Sequence, residues 1–209
     1  MFNNPNYPSD PKKIRTHLEL ECNSLDKIQE EILDWVDKNT NFLQDVSDNQ
    51  FWKKIEYKDL AKRCPSLMYY MKSIRMPIQE IVIGLLTEAM KDDGFVLHIG
   101  APPLNFKINF PILNTEDVYT EWYDIPKKDL DQLSLFINEH TNTQQYDLGE
   151  LHSTVHEKYE LVTSYNMHKC PIIFNSWIPH RVMPGPNAKF PRIMIATMPI
   201  IDPIHLMQK

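Results

Sequence analysis

The sequence predicts a mainly β (α+β) fold, a β-sandwich or jelly roll with N-terminal helices packed on one sheet. An amphipathic helical pattern near the N-terminus gives way, from about residue 77, to short strand-like runs. Eight such runs, rich in β-branched and aromatic residues, follow within about 120 residues. Pro, Gly, Asn or Asp bounds each run, as expected of strands joined by turns.

Two helical patterns precede the strands. Residues 23–39 carry apolar side chains at helical spacing, with Asn23 or Ser24 available to cap the helix and acidic residues in its first turns. A second helical stretch covers about residues 58–73 and contains Pro65, which fits best in the first turn of a new short helix. We expect these helices to pack on one sheet.

The strand-like runs give the β core its order along the chain. They are IQEIVIGLL (78–86), GFVLHI (94–99), FKINFPIL (106–113), VYTEWYDI (118–125), YELVTSY (159–165), PIIFNSW (171–177), IPHRVMP (178–184) and PRIMIATM (191–198). The polar residues 126–157 interrupt the series and predict a short helix mixed with loop. Insertions of this length serve as lids or binding loops, or as solvated elaborations.

Length and composition favour one globular domain over residues 1–209. Residues 1–75 would form a helical support and residues 77–200 the β core. Apolar residues make up 42% of the chain and charged residues 24%, which are globular values. The net charge of −6 argues against nucleic-acid or anionic-membrane partners.

The sequence also favours a cytoplasmic protein. No apolar run approaches the length of a membrane span, and the N-terminus lacks the apolar segment of a signal peptide. Cys22, Cys64 and Cys170 are odd in number and widely spaced, which predicts reduced thiols and no disulfide framework.

Three polar residues on the predicted strands are candidates for chemistry. The strand-like run FVLHI carries His98, His180 lies at the end of a later strand, and Arg192 opens another strand twelve residues on. Taken alone, a histidine is usually a hydrogen-bonded structural residue, and an arginine usually pairs with a surface carboxylate. The order is more informative: a histidine with a small residue two positions on, then a distant histidine, then an arginine.

On these residues the chain resembles the non-haem iron, 2-oxoglutarate-dependent oxygenases, over about residues 77–200. The resemblance implies a double-stranded β-helix of the jelly-roll or cupin-like type. It implies that His98 and His180 bind Fe(II) and that Arg192 binds the far carboxylate of 2-oxoglutarate. Asn109 would donate a hydrogen bond to 2-oxoglutarate, or would be a satisfied buried amide.

Two longer stretches carry the same resemblance. INFPILNTEDVYTEWYDI (108–125) and PHRVMPGPNAKFPRI (179–193) resemble strand pairs of small hydroxylases, including those of the aspartyl/asparaginyl hydroxylase type. The family's usual ligands, two histidines and one carboxylate, suit Fe(II) and leave three positions open. The keto acid takes two of these and O2 the third, while a guanidinium offsets the cost of burying the other carboxylate.

Gly100 and Met194 depart from the family's pattern. Gly100 stands where the carboxylate ligand is expected, and Met194 where a hydroxyl residue often follows the arginine. His-x-Gly resembles the motif of radical halogenases, in which chloride or bromide occupies the vacated iron position. The alternatives are a hydroxylase that fills the position with water or another residue, an ordinary hydroxylase in which Gly has replaced Asp at position 100, naturally or by engineering, or a site without catalysis.

Three classes of function therefore stay open. The first is an oxygenase-type enzyme, a halogenase or hydroxylase, acting on an unactivated C–H bond of a small-molecule or amino-acid/peptide substrate. The second is a cupin-like module that holds a small carboxylate through Arg192 without redox chemistry. The third is a structural or interaction protein on the same scaffold.

Other polar and aromatic residues give weaker signals. His152 and His156 are four residues apart, as in zinc-binding helices, but they lack the surrounding motif, and a solvated pair is the simpler interpretation. Four aromatic residues could floor a substrate pocket, although aromatic residues on strands usually belong to the core. These are Tyr119, Trp122, Tyr123 and Trp177.

Overall fold

A computed structural model of the chain describes residues 13–39, 52–100, 106–130, 135–138, 143–201 and 203–207. Over these ranges the protein is mainly β, with two antiparallel sheets and several helices, as the sequence predicted. The helices are α1 (Leu25–Lys38), α2 (Tyr57–Arg63), α3 (Pro65–Ser73), α4 (Lys127–Leu130), α5 (Val155–Lys158) and α6 (Ile204–Met207).

The strands in these ranges include all eight predicted runs. They are β1 (His17–Glu19), β2 (Trp52–Lys54), β3 (Ile78–Leu86), β4 (Phe95–Gly100), β5 (Phe106–Leu113), β6 (Val118–Asp124), β7 (Leu135–Asn138), β8 (Thr143–Asp147), β9 (Glu160–Asn166), β10 (Ile172–Asn175), β11 (His180–Pro184) and β12 (Arg192–Pro199). The first sheet has the order β1-β10-β5-β12-β3-β2, and the second has the order β7-β8-β4-β11-β6-β9.

The N-terminal helices pack on the outer face of the first sheet. α1 buries one side, and Pro65 opens α3 as predicted. Ser24 occupies the N-cap position of α1, one of the two expected alternatives, but its side chain forms no capping hydrogen bond. The Nε1–H of Trp35 instead donates to a carboxylate oxygen of Asp59 at 2.7 Å, which ties α1 to α2.

Strand alternation decides which side chains reach the space between the sheets. On β12, Ile193 and Ile195 pack with the helices, whereas Met194 and Ala196 pack between the sheets. Successive side chains of a strand point to opposite faces, so Arg192 shares the inner face with Met194. The alternation of side chains along β12 therefore places the guanidinium of Arg192 between the two sheets.

The segment 126–157 adds two strands, β7 and β8, which extend the second sheet beside β4. The sequence predicted helix and loop here, because β7 has only four residues and β8 is mostly polar without clear alternation. β7 and β8 form even though their residues have no strong strand propensity, because pairing with the edge of β4 satisfies their backbone groups. The buried residues of the segment pack on the outer face of the second sheet. They are Leu130, Tyr146, Leu148 and Val155, in contact with Leu97, Ile99, Tyr123 and Ile125.

Two further strands, β1 and β2, lie at the edges of the first sheet and were not predicted from the sequence. Each spans three residues, too few to show a period of two. Within the described ranges, no helix is long and apolar enough to cross a membrane.

Candidate functional site

A cavity with a volume of about 30 Å3 lies between the two sheets. Five of the residues singled out from the sequence line it, and so do several other apolar side chains of both sheets. The lining residues are Trp52, Phe95, His98, Lys107, Asn109, Thr120, Met167, Ile172, Phe174, His180, Val182, Arg192 and Met194.

His98 and His180 face each other across two neighbouring strands. They are register partners on β4 and β11, and their ring centroids lie 4.3 Å apart at an interplanar angle of 60°. Each Nδ1 lies 2.8 Å from the carbonyl oxygen of the residue two positions earlier, Val96 or Ile178. A carbonyl oxygen can only accept, so each Nδ1 donates and a neutral ring presents Nε2 as its basic nitrogen.

This arrangement fits two imidazoles that share one metal ion. Metal-binding histidines usually donate the other ring N–H to a carbonyl or carboxylate, which fixes the ring orientation. With nitrogen–metal bonds of about 2 Å, two ligands of one ion bring their ring centroids to roughly 4–5 Å. The spacing of the His98 and His180 rings falls in that range.

The environment of His180 favours its neutral form. Burial lowers the pKa of His180 well below its usual value, and the neighbouring His98 lowers it further. The imidazole of His180 is only 2% exposed, so a proton on Nε2 would be poorly solvated. A neutral imidazole is the form that binds a metal ion.

Arg192 places a guanidinium in the buried part of the cavity. It is 2% exposed, and its Nε and Nη1 are buried without a hydrogen-bond acceptor among the described residues. Burial lowers the pKa of Arg192 to about 10, so the group remains charged near neutral pH. A buried charge without a partner is strongly unfavourable, and proteins normally pair it with an anion. A bound anion would supply the partner that Nε and Nη1 of Arg192 lack among the described residues.

Asn109 adds a second unsatisfied polar group. Its side chain is buried, and its Oδ1 has no partner in the described part of the chain. It lies on β5 opposite Ala196 of β12 and Ile172 of β10, in the middle of the first sheet. The sequence-based alternative of a fully satisfied amide is not what the structure describes. A ligand that donates a hydrogen bond would satisfy Oδ1 of Asn109. If the amide oxygen and nitrogen are exchanged, a ligand that accepts a hydrogen bond would satisfy the amide instead.

Lys107 is a cavity residue that the sequence analysis missed. Its Nζ lies 5.6 Å from the ring centroid of Trp52, which lines the same cavity. Burial lowers the pKa of Lys107 to about 8, and Glu80 opposes that shift. The signal was present in FKINF, where Phe106 and Ile108 pack with the helices and leave Lys107 to the inner face.

Gly100 ends β4 two residues beyond His98, at the same face of the strand. Its N–H donates to the carbonyl oxygen of Ser176 at 2.8 Å, and Gln145 is its register partner on β8. Across the described positions, no three His, Cys, Asp or Glu residues are grouped to hold a metal ion. The backbone register sets Asp147 opposite His98.

The charge of the cavity is positive. Arg192 and Lys107 both line it, whereas no Asp or Glu appears among those of its lining residues that are described. Met194 also lines it, so the position two residues after Arg192 is apolar and offers no hydroxyl group. Thr120 supplies a buried hydroxyl-bearing side chain from β6 instead.

The remaining candidates lie outside the cavity. The N–H of Leu97 donates to Nδ1 of His152 at 3.1 Å, and Nε2 of His152 donates to the carbonyl oxygen of Asp93 at 2.7 Å. Both ring nitrogens are thus bonded to backbone, which is a structural role. His156 is exposed, as expected of a solvated residue. The aromatic residues Trp122, Tyr123 and Trp177 are core, and Tyr119 is 37% exposed.

The chain matches no protein-family model, and no curated protein shows significant sequence similarity to it.

Proposed function

We propose that the protein is an Fe(II)- and 2-oxoglutarate-dependent enzyme that acts on an unactivated C–H bond. One observation carries the proposal: the His98–His180 pair and the unpartnered guanidinium of Arg192 line the same cavity. A pair of neutral imidazoles suits a divalent metal, and a buried guanidinium suits a carboxylate. The cosubstrate 2-oxoglutarate carries both kinds of group that such a cavity would receive.

We infer that the two sheets form a jelly roll, the double-stranded β-helix type. The order along the chain supports this inference, because β3, β4, β5 and β6 alternate between the sheets. So do β9, β10, β11 and β12. Such alternation winds the chain around one interior, and the cavity opens into that interior.

Each residue of the site has a defined part in this proposal. His98 and His180 would hold iron through Nε2, with Nδ1 held by backbone carbonyls. Arg192 would bind the far carboxylate of 2-oxoglutarate through its planar fork. Asn109 would donate a hydrogen bond to 2-oxoglutarate with its amide reversed, so that Nδ2 takes the place of Oδ1. When bound, iron and 2-oxoglutarate would together supply the oxidising chemistry.

The apolar lining has a separate task. Phe95, Phe174, Val182 and Met194 surround the polar groups and keep the site dry. In low dielectric, the pairing of a carboxylate with Arg192 is stronger than in water. The protein thus orients the cosubstrate and excludes water, which protects reactive species from side reactions.

The outcome of the reaction depends on the position next to Gly100. A residue without a side chain leaves room at that position for an anion such as chloride or bromide, which supports a radical halogenase. A hydroxylase that places water or another residue there is the alternative. Both use the same cavity and differ only in what completes the coordination of the metal.

A cupin-like module that binds a small carboxylate is the second candidate. Arg192 favours this candidate, because its buried Nε and Nη1 lack acceptors among the described residues and would bind an anion with or without a metal. Such a module needs no third metal ligand.

Anaerobic titration separates these candidates. We expect Fe(II) and 2-oxoglutarate together to give a weak visible absorption band with the wild-type protein, and no band with His180→Ala. Binding of 2-oxoglutarate without colour would favour the module. Absence of both binding and colour would exclude both functions.

A further inference from the structure

Lys107 has a place in the cavity that the proposed function does not use. Its ammonium lies over the ring of Trp52, at 5.6 Å from the centroid. Among the residues that the structure describes, none forms a hydrogen bond or ion pair with it. The nearest acidic influence comes from Glu80, whose Oε2 is paired with Lys54 Nζ at 3.0 Å.

The position of Lys107 is separate from that of Arg192. On β5, Lys107 comes one residue before Ile108, which is in register with Thr197 of β12. On β12, Arg192 comes five residues before Thr197. Because the two strands are antiparallel, these offsets add to six residues. At roughly 3.3 Å per residue, the two backbone positions are about 20 Å apart along the sheet. The two backbone positions are thus far apart, whereas the side chain of Lys107 extends toward Trp52, which is in register with Gly84 and, through Gly84, with Met194.

Glu80 offsets the charge of Lys107 in part, without forming an ion pair with it in the described structure. A carboxylate of 2-oxoglutarate at Arg192 would satisfy that end of the cavity. Lys107 would still face a cavity in which no described lining residue is acidic. An ammonium that is largely removed from water gains much from a second anion, more than an exposed lysine would.

We propose that Lys107 and Trp52 form a second anion subsite, which receives a carboxylate of the substrate. The ring of Trp52 holds the ammonium by a cation–π contact until the carboxylate arrives. Lys107 is then a specificity-determining residue, and the substrate is a carboxylic acid rather than a neutral molecule. This inference rests on the proposed function, in which Arg192 is already engaged by the cosubstrate.

The test uses the full chain loaded with Zn(II), which is not oxidised, and saturated with 2-oxoglutarate. Acetate is the probe, acetamide is its neutral counterpart, and binding is followed by ligand-observed NMR titration. We expect acetate to bind wild type and acetamide not to bind. Lys107→Met should weaken acetate binding about tenfold or more, as for loss of a charged hydrogen bond. Lys107→Arg should retain it.

The matched control is Lys53→Met, which removes the neighbouring lysine from the exposed side of β2. It should leave acetate affinity unchanged. Equal affinity of wild type and Lys107→Met for acetate would overturn the subsite. So would binding of chloride but not acetate at Lys107, since the position would then be a halide site.

The source of the carboxylate is resolved by titrating 2-oxoglutarate alone. We expect Lys107→Met to bind it as tightly as wild type does. The opposite outcome has two parts: Lys107→Met loses as much affinity for 2-oxoglutarate as Arg192→Met does, and acetate does not bind the protein saturated with 2-oxoglutarate. This outcome would show that Lys107 binds the cosubstrate, and it would overturn the assignment to substrate.

Failure of the proposed function would look different. In that case wild type would bind neither metal nor 2-oxoglutarate, and acetate would be titrated into the metal-free protein. Acetate binding that depends on Lys107 would still support an anion subsite, and its absence would overturn the subsite as well.

Discussion

His98 and His180 are register partners on adjacent antiparallel strands, and their ring centroids lie 4.3 Å apart. We expect either His98→Ala or His180→Ala to abolish Fe(II) or Zn(II) binding, because a single imidazole in this cavity cannot hold the ion. Calorimetric metal titration measures the effect. The control is His156→Ala, which changes an exposed histidine and should bind metal like wild type. Metal binding retained by both cavity variants would place the metal elsewhere.

Arg192 should carry opposite effects on binding and on stability. Arg192→Met removes a buried charge, two nitrogens of which have no acceptor among the described residues, so the ligand-free variant should unfold at a higher temperature than ligand-free wild type. The same change should cost about 2–5 kcal/mol of 2-oxoglutarate binding free energy, and Arg192→Lys should recover only part of it.

Thermal unfolding with and without 2-oxoglutarate measures both effects of the Arg192 variants. The cosubstrate should stabilise wild type and not Arg192→Met. Equal stabilisation of the two proteins would show that the cosubstrate is anchored elsewhere.

The sequence predicted the elements that have a clear period. The eight core strands alternate or run continuously apolar, and α1 has a helical stripe, so each could be located to within a residue or two. The four strands that were missed lie at or near sheet edges and span three to five residues. Their pairing is decided by the neighbouring strand and not by their own side chains.

The candidate site shows the same division. His98, His180, Asn109 and Arg192 were found because a known pattern has those residue types in that order. Lys107 was missed because a lysine on an otherwise apolar strand is normally solvated. Only the second sheet, which covers the inner face of β5, makes that position part of a cavity.

Gly84 should be required for the position of Trp52. A Cβ at Gly84 would lie 2.6 Å from Cζ3 of the Trp52 ring, closer than side chains tolerate. We therefore expect Gly84→Ala to displace the ring and lower the free energy of unfolding by about 1–3 kcal/mol, as overpacking does. Urea denaturation of the single and double variants measures this. When Trp52 is replaced by Leu, Gly84→Ala should cost little unfolding free energy. An equal loss of unfolding free energy with Trp52 present and with Trp52→Leu would contradict the contact.

His152 should make the fold sensitive to acid. Burial lowers its pKa, and Nδ1 accepts the N–H of Leu97, so the folded protein takes up a proton there less readily than the unfolded chain. Stability should thus be retained above pH 6.5 and lost as the pH falls towards the lower pKa of the folded state.

Urea denaturation between pH 7.5 and about 5 tests the role of His152. His152→Gln should be less stable than wild type at neutral pH, but its stability should fall less on acidification. The exposed His156→Gln is the control and should follow wild type. An unchanged acid dependence in His152→Gln would exclude the assigned role.

Gly100→Asp should convert the outcome of the reaction. With iron and 2-oxoglutarate present, chloride or bromide should bind wild type and shift the visible band, because a glycine leaves that metal position to an anion. In Gly100→Asp the added carboxylate should exclude the halide and turn the product from halogenated to hydroxylated. Product mass under saturating chloride compares the two proteins.

Gly100→Ala, which adds a methyl group but no metal ligand, is the control. Halide should still bind this variant and shift its visible band if the pocket tolerates the methyl group. An oxygenated product from wild type, with no effect of halide on the band, would instead make Gly100 part of a hydroxylase site.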